Sequence, residues 1–177
     1  ALGGALGTAT HGTGQKIQAM HGDVTGLRLV TASGKVIDAD AATNPEIFQA
    51  ARVSLGALGV ISQGRMRTSA NRRLRRRVWL EPFDEALANA ESRWAQHRNF
   101  EFYAVPFTGL AANISHDETD DPAEARGPDQ DTEFLQALRG LRNLLGFATP
   151  LRRAAAKALL SPAKPETAVD EGWKLLS

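Results

Sequence analysis

The sequence predicts an α+β fold, and three observations carry that expectation. Residues 24–40 and 99–116 alternate with period two around turn signals, as paired strands do. Residues 43–56 and 83–97 read instead as helices. A basic stretch, Asn71 to Trp79, separates two differently patterned halves. The chain has 177 residues, of which 42% are apolar, as in a protein with a real core. Lys and Arg total 21 against 20 Asp and Glu, so the net charge of +1 gives no general pull toward nucleic acid or membrane. There is no cysteine, which excludes disulfides, thiolate metal sites and cysteine nucleophiles. No apolar run approaches the roughly 20 residues of a membrane span, and no export signal opens the chain. The default expectation is a cytoplasmic protein without a membrane span.

The elements follow in order. In "VTGLRLVTASGKVIDAD", Leu27, Leu29 and Thr31 alternate with Arg28, Val30 and Ala32, and Ser33-Gly34 supplies a tight turn, so residues 24–40 form a β-hairpin. In "TNPEIFQAARVSLG", Thr43 or Asn44 caps a helix, Pro45 fits its first turn, Glu46 suits the positive end of the dipole and Gly56 stops it. "GVISQGRMRT", residues 59–68, alternates again as a strand. "FDEALANAESRWAQH" is a helix presenting Phe83, Leu87, Ala90 and Trp94 on one face. "NFEFYAVPF" is a strand with Phe100 and Phe102 on one side, and "GLAANISH" is its partner. The acidic, Pro/Gly-punctuated residues 117–133 read as a surface loop. Residues 132–147 and 151–160 read as two helices, and the tail from Ser161 as mostly irregular.

The chemistry concentrates at the start. "GGALGTATHGTG", Gly3 to Gly14, holds five glycines, three threonines and one histidine in twelve residues. Glycines let backbone approach a ligand closely, and successive free N–H groups bind anions such as a pyrophosphate. Thr8, Thr10 and Thr13 add hydroxyls, and His11 can meet a ring edge or a phosphate. The stretch is no phosphate-binding P-loop, and it reads as a loop that no helix follows, unlike a dinucleotide-binding G-x-G-x-x-G turn. From these residues alone, a cofactor cradle and a structural glycine-rich turn stand level.

Three stretches carry a resemblance. "GGALGTATHGTG" resembles the second flavin-contacting segment of the FAD-linked oxidases of the vanillyl-alcohol oxidase (PCMH) type. "NPEIFQAARVSLGALGVIS", Asn44 to Ser62, is similar to that family's helix-then-strand segment. "HRNFEFYAVPFTG", His97 to Gly109, resembles the start of the cap domain in the sugar-lactone oxidase branch, which includes L-gulonolactone and D-arabinono-1,4-lactone oxidases. The "VDEGWKLLS" tail fits the same branch. The resemblance implies that residues 1–70 are the second part of an FAD-binding domain and residues 71–177 the first part of an α+β cap. It implies FAD contacts at Gly4, Gly7, Thr8, Thr10, His11, Gly12, Thr13 and Gly14, with Gly59, Val60 and Ile61 against the adenosine end. It implies a small-molecule sugar lactone or polyol as substrate, oxidised by hydride transfer to flavin N5, with oxygen or another electron acceptor reoxidising the flavin. The family's first FAD segment and the substrate-binding end of its cap are not in these residues, so the chain reads as an internal fragment that would not act unaided, with no catalytic residue assigned.

Other candidates weigh less. As acid–base groups His11 and His21 weigh little: His11 falls at a flavin-contacting loop position of the resembled family, and His21 reads as a loop residue. The acidic stretch lacks the spacing of a calcium loop, and His116-Asp117 is too little for a metal, so no metal site is expected. The run Arg72, Arg73, Arg75, Arg76 and Arg77 has one aromatic beside it, Trp79, and no nucleic-acid module around it; a solvated or interdomain-paired strand is the expectation. The competing function is a non-catalytic module binding phosphate through the glycine loop and nucleic acid through those arginines.

Overall fold

The structure is a computed structural model that describes residues 2–106, 108–124 and 165–176, with isolated positions 139, 150, 151, 154, 155 and 158. The expected helices over 132–147 and 151–160, and most of the acidic stretch, lie outside the described residues. The chain divides into two compact units, Ala1–Ala70 and Asn71–Ser177.

In the first unit, β1 (Val24–Val30) is the middle strand of an antiparallel sheet. It is flanked by β2 (Val36–Asp40) and β3 (Val60–Met66). The hairpin turn is closed by Thr31 N–H to Lys35 O and Gly34 N–H to Thr31 O, both 2.9 Å, with Gly34 at φ +79°. Alternation places Leu27 and Leu29 on the buried face, where they form a core with Leu6, Val24, Ala39, Phe48 and Ala51. The opposite face carries Arg28–Asp38 at 2.7 Å and Arg65–Asp40 at 2.9 Å. That alternation is what a sheet covered on one side by helices requires.

Helix α1 (Leu2–Gly7) is a correction to the expected opening loop. Three of its six residues are glycine, each costing roughly 0.5–1 kcal/mol against alanine. Burial of Leu6 in the core overrides that propensity. The helix ends in a Schellman motif: Thr10 N–H reaches Ala5 O at 3.1 Å and Ala9 N–H reaches Leu6 O at 3.3 Å. Ala9 takes the left-handed position, φ +57°, that glycine usually fills.

Helix α2 (Pro45–Ala51) starts at the expected proline, but neither Thr43 nor Asn44 caps it with a side chain. Asn44 sits at φ +50° and donates its amide to Asp38 O at 2.8 Å instead. Asp40 organises the approach by accepting the N–H groups of Ala42 (2.9 Å) and Thr43 (2.7 Å), which hold its carboxyl below the ordinary range. The helix stops at Ala51, five residues before Gly56, because the chain must turn there to reach β3. It does so through Gly59 at φ +134°, where a Cβ would collide with the Val30 carbonyl.

In the second unit, β4 (Arg73–Pro82), β5 (Asn99–Val105), β6 (Leu110–Glu118) and β7 (Glu166–Glu171) form an antiparallel sheet in the order β5-β6-β4-β7. The arginine-rich stretch, expected as a solvated or interdomain strand, is therefore an inner strand of this sheet. The tail, expected to be mostly irregular, supplies β7 and a last helical turn, α4 (Gly172–Leu175). Strand pairing across about ninety residues leaves no local trace, so β7 escapes a reading by neighbourhood.

Helix α3 (Phe83–Gln96) lies where the periodicity puts it, yet its inner face differs. Ala86 and Ala90 are buried, whereas Leu87 is 57% exposed. The small alanines let the helix approach closely enough for Arg93 to enter the interface. Arg93 pairs with Glu81, with Nη2 to Oε2 at 2.8 Å. Its guanidinium also lies over the rings of Trp79 and Phe100 at 5.4 and 5.7 Å. The pairing holds the Glu81 carboxyl below its usual range and raises Arg93.

Part of the acidic stretch is paired rather than free. Asp117 accepts His97 Nδ1 at 2.7 Å and Arg98 N–H at 3.0 Å, and Asp121 pairs with Arg75. On β6, burial, aided by the nearby Arg76 and Arg98 charges, pushes the His116 imidazole down to about 4.

Gly59→Ala should lower stability by at least about 2 kcal/mol in urea denaturation, since both φ and space forbid a Cβ. Ala9→Gly should raise it by up to about 1 kcal/mol. His116 stays neutral in the fold but binds a proton near pH 6.5 when unfolded. Stability should therefore be full above about pH 6.5 and fall by on the order of 2–3 kcal/mol as pH drops toward 4. His116→Gln should flatten that part of the pH profile.

Candidate functional site

The glycine-rich stretch leaves α1 and runs uncharged past Thr10. No acidic side chain occurs before Asp23, so nothing in it repels an anion. Gly4 lies exposed within α1, and its carbonyl accepts both the Thr8 N–H (3.1 Å) and the Thr8 hydroxyl (2.9 Å). The Thr8 proton is therefore engaged, while its oxygen lies 3.4 Å from the Thr10 hydroxyl. Thr10 O accepts Met20 N–H at 3.2 Å, tying the stretch to a 3-10 turn, Met20–Asp23. His11, Gly12 and Thr13 are exposed, with His11 Nδ1 3.0 Å from Gly12 O. Gly14 is half-buried and accepts Ile17 N–H at 3.1 Å.

A Cβ on Gly3, Gly4 or Gly7 would meet nothing within 4 Å. None of the three has a positive φ. The described chain thus gives no reason for glycine at these positions. Gly59 differs, because its need for glycine is met inside the fold, at Val30.

The two candidate segments meet through backbone. Leu55 N–H donates to Gly7 O at 3.2 Å, so the turn before β3 sits against the end of α1. Val60 is 69% exposed. Ile61 packs against the core and pairs with Leu29 of β1. Leu2, Ile17, Val36, Val53, Leu55 and Leu58 are also exposed in this unit. Sequence reasoning missed Leu55, since leucine is no turn signal.

The other candidates are placed differently. His21 is half-buried in the 3-10 turn, with its Nδ1 buried and without a hydrogen-bond partner. Arg72 pairs with Glu118 and Arg75 with Asp121, and Arg77 lies over Trp79 at 5.5 Å. Among the described residues, no three His, Asp or Glu side chains gather as a metal site, and no helix is long and apolar enough to cross a membrane. A concavity of about 400 Å³ lies on the charged face of the first sheet, lined by Gly26, Arg28, Asp38 and Arg65 among others, away from the glycine stretch.

No family model matches the chain. Among curated proteins it is similar to L-gulonolactone oxidase of Bos taurus, 33% identical over 120 residues, covering 68% of this chain and 27% of that one. It is similar to L-gulono-1,4-lactone dehydrogenase of Mycobacterium tuberculosis, 36% identical over 118 residues, covering 67% and 27%. The chain thus spans about a quarter of the length of these relatives. Among solved structures, a variant of the cholesterol oxidase from Brevibacterium sterolicum matches with a TM-score of 0.60 at 17% identity, covering 95% of this chain and 38% of that one. At that identity the likeness shows the fold.

Proposed function

The chain is a relative of the sugar-1,4-lactone oxidases and dehydrogenases, with the fold of the PCMH-type FAD-linked oxidases, and from that premise we propose that the intact protein is an FAD-dependent oxidoreductase acting on a CH–OH group of a sugar-derived lactone or related polyol. Residues 1–70 serve as part of the FAD-binding domain and residues 71–177 as part of the cap. FAD, when bound, supplies the hydride acceptor at N5, and oxygen or another acceptor takes the electrons onward. The protein's own part is binding and orientation. Gly4, Gly7, Thr8, Thr10, His11, Gly12, Thr13 and Gly14 hold the pyrophosphate and flank the ring, while Gly59, Val60 and Ile61 hold the adenosine end.

One observation carries this reading most: the Leu55–Gly7 backbone hydrogen bond joins the two segments that the cofactor must touch together. The charge of the segment supports it as well. Residues 1–22 carry no acidic side chain, and a Cβ at Gly3, Gly4 or Gly7 would meet open space, which suits a large, doubly charged pyrophosphate.

The intact protein should purify yellow with about one flavin per chain, and a sugar-1,4-lactone such as L-gulono-1,4-lactone should bleach it without air. Gly12→Val should weaken flavin retention roughly tenfold or more, because a branched side chain fills space reserved for the ligand. A colourless protein that refuses added flavin would end this reading.

A further inference from the structure

The charged face of the first sheet holds two guanidiniums in fixed places. On β1, Arg28 lies between Asp38 of β2 and Gln63 of β3, and Gly26 lies between Asp40 and Arg65. Directly opposed residues share a face. The two rows are therefore two residues apart along β1, roughly 7 Å. Arg28, Asp38, Gln63 and Arg65 line the concavity of about 400 Å³ at this place.

Both guanidiniums are anchored. Arg28 forks onto Asp38, with Nε to Oδ1 at 2.7 Å and Nη2 to Oδ2 at 2.9 Å. Arg65 reaches from β3 across the middle strand to Asp40, with Nη2 to Oδ2 at 2.9 Å. It passes over Gly26, where a Cβ would stand 2.4 Å from Nη2. Gly26 has no positive φ, so its missing side chain serves that passage. The other Asp40 oxygen is fixed by the Ala42 and Thr43 N–H groups. Glycine weakens a strand interior, and ion pairs this exposed return little stability. The fold alone gains little from the arrangement.

What the anchoring leaves over is donors. It uses Nε and Nη2 of Arg28 and Nη2 of Arg65. Among the described residues, Arg28 Nη1, Arg65 Nε and Nη1, and the Gln63 amide have no hydrogen-bond partner. Guanidinium forks match a carboxylate in shape and charge. Asp38 is 60% exposed and accepts one bond at each oxygen, so it keeps lone pairs for hydroxyls. The concavity has the volume of a small-molecule site.

We propose that this cleft binds a small hydroxycarboxylate, its carboxylate on Arg28, Arg65 and Gln63 and a hydroxyl on Asp38. The site is built from the first sheet alone and does not depend on the flavin reading.

The test titrates the intact protein with D-gluconate by calorimetry at low ionic strength. Acetate offers the carboxylate alone, and sorbitol the hydroxyls alone. Gluconate should bind one site per chain with a Kd of about 1 mM or tighter, acetate roughly tenfold more weakly and sorbitol more weakly still. Gln63→Glu places a like charge beside the ligand at an exposed position without a partner. It should lower gluconate affinity roughly tenfold or more and leave the melting temperature unchanged. Arg65→Lys keeps the charge but loses the fork, and should lower affinity about threefold or more. Absence of gluconate binding overturns the proposal, as does binding that both variants leave unchanged. Equal affinity for gluconate and acetate overturns it too, since that is charge attraction alone. Flavin absorbance of the same samples should not change with either variant. A flavin loss that tracks the gluconate loss would make the cleft part of the cofactor site and overturn a separate one. A parent that binds gluconate but no flavin upholds this site while the FAD reading fails.

Discussion

The first unit turns on a single close approach. At Gly59 the chain crosses the end of β1 so tightly that the Val30 carbonyl occupies the space of a side chain. This crossing starts β3 opposite Val30 and sets the pairing of Leu29 with Ile61. A slip of one residue would send Ile61 to solvent and Val60 to the core, since strand side chains alternate. The same crossing ends the Ser54–Gly59 turns, whose Leu55 amide holds the end of α1. Core register and candidate site therefore depend on one backbone contact that only glycine permits.

The second unit is organised around a charge. Arg93 reaches from α3 to Glu81 between two aromatic faces, and the alanines at 86 and 90 make room for it. A pair this enclosed contributes less through net attraction than through the penalty for losing one member, which leaves the other buried and unpaired. It fixes the helix on the sheet in one rotation and turns Leu87 outward. Beside the inner strand β4, which lies between β6 and β7, Arg72 meets Glu118 of β6 and Arg75 meets Asp121 just after it. The run expected as a solvated or interdomain-paired strand is hydrogen-bonded on both edges, and Arg73, Arg75 and Arg77 keep their side chains exposed.

The proposed FAD site offers backbone and apolar surface rather than charged side chains. Glycines without neighbours, an uncharged stretch and bare leucines and valines are each weak signs. They gain weight by lying on two segments, fifty residues apart in sequence, that one hydrogen bond brings together. The charged concavity on the open face of the first sheet plays no part in that arrangement.

Local order in the sequence sufficed for what local physics controls. Period two wrote the hairpin and β3, helical spacing wrote α2 and α3, and the glycine-threonine string marked the candidate site. These depend on neighbours a few residues apart. What only the tertiary structure decided depends on partners far away. Leu6 makes a helix of three glycines because a core waits for it. Asp40 closes the turn ahead of α2 because β2 brings its carboxylate there, and β7 exists because β4 offers an edge. The positive φ of Leu55 follows from a chain that must turn between α2 and β3, and no propensity of leucine announces it.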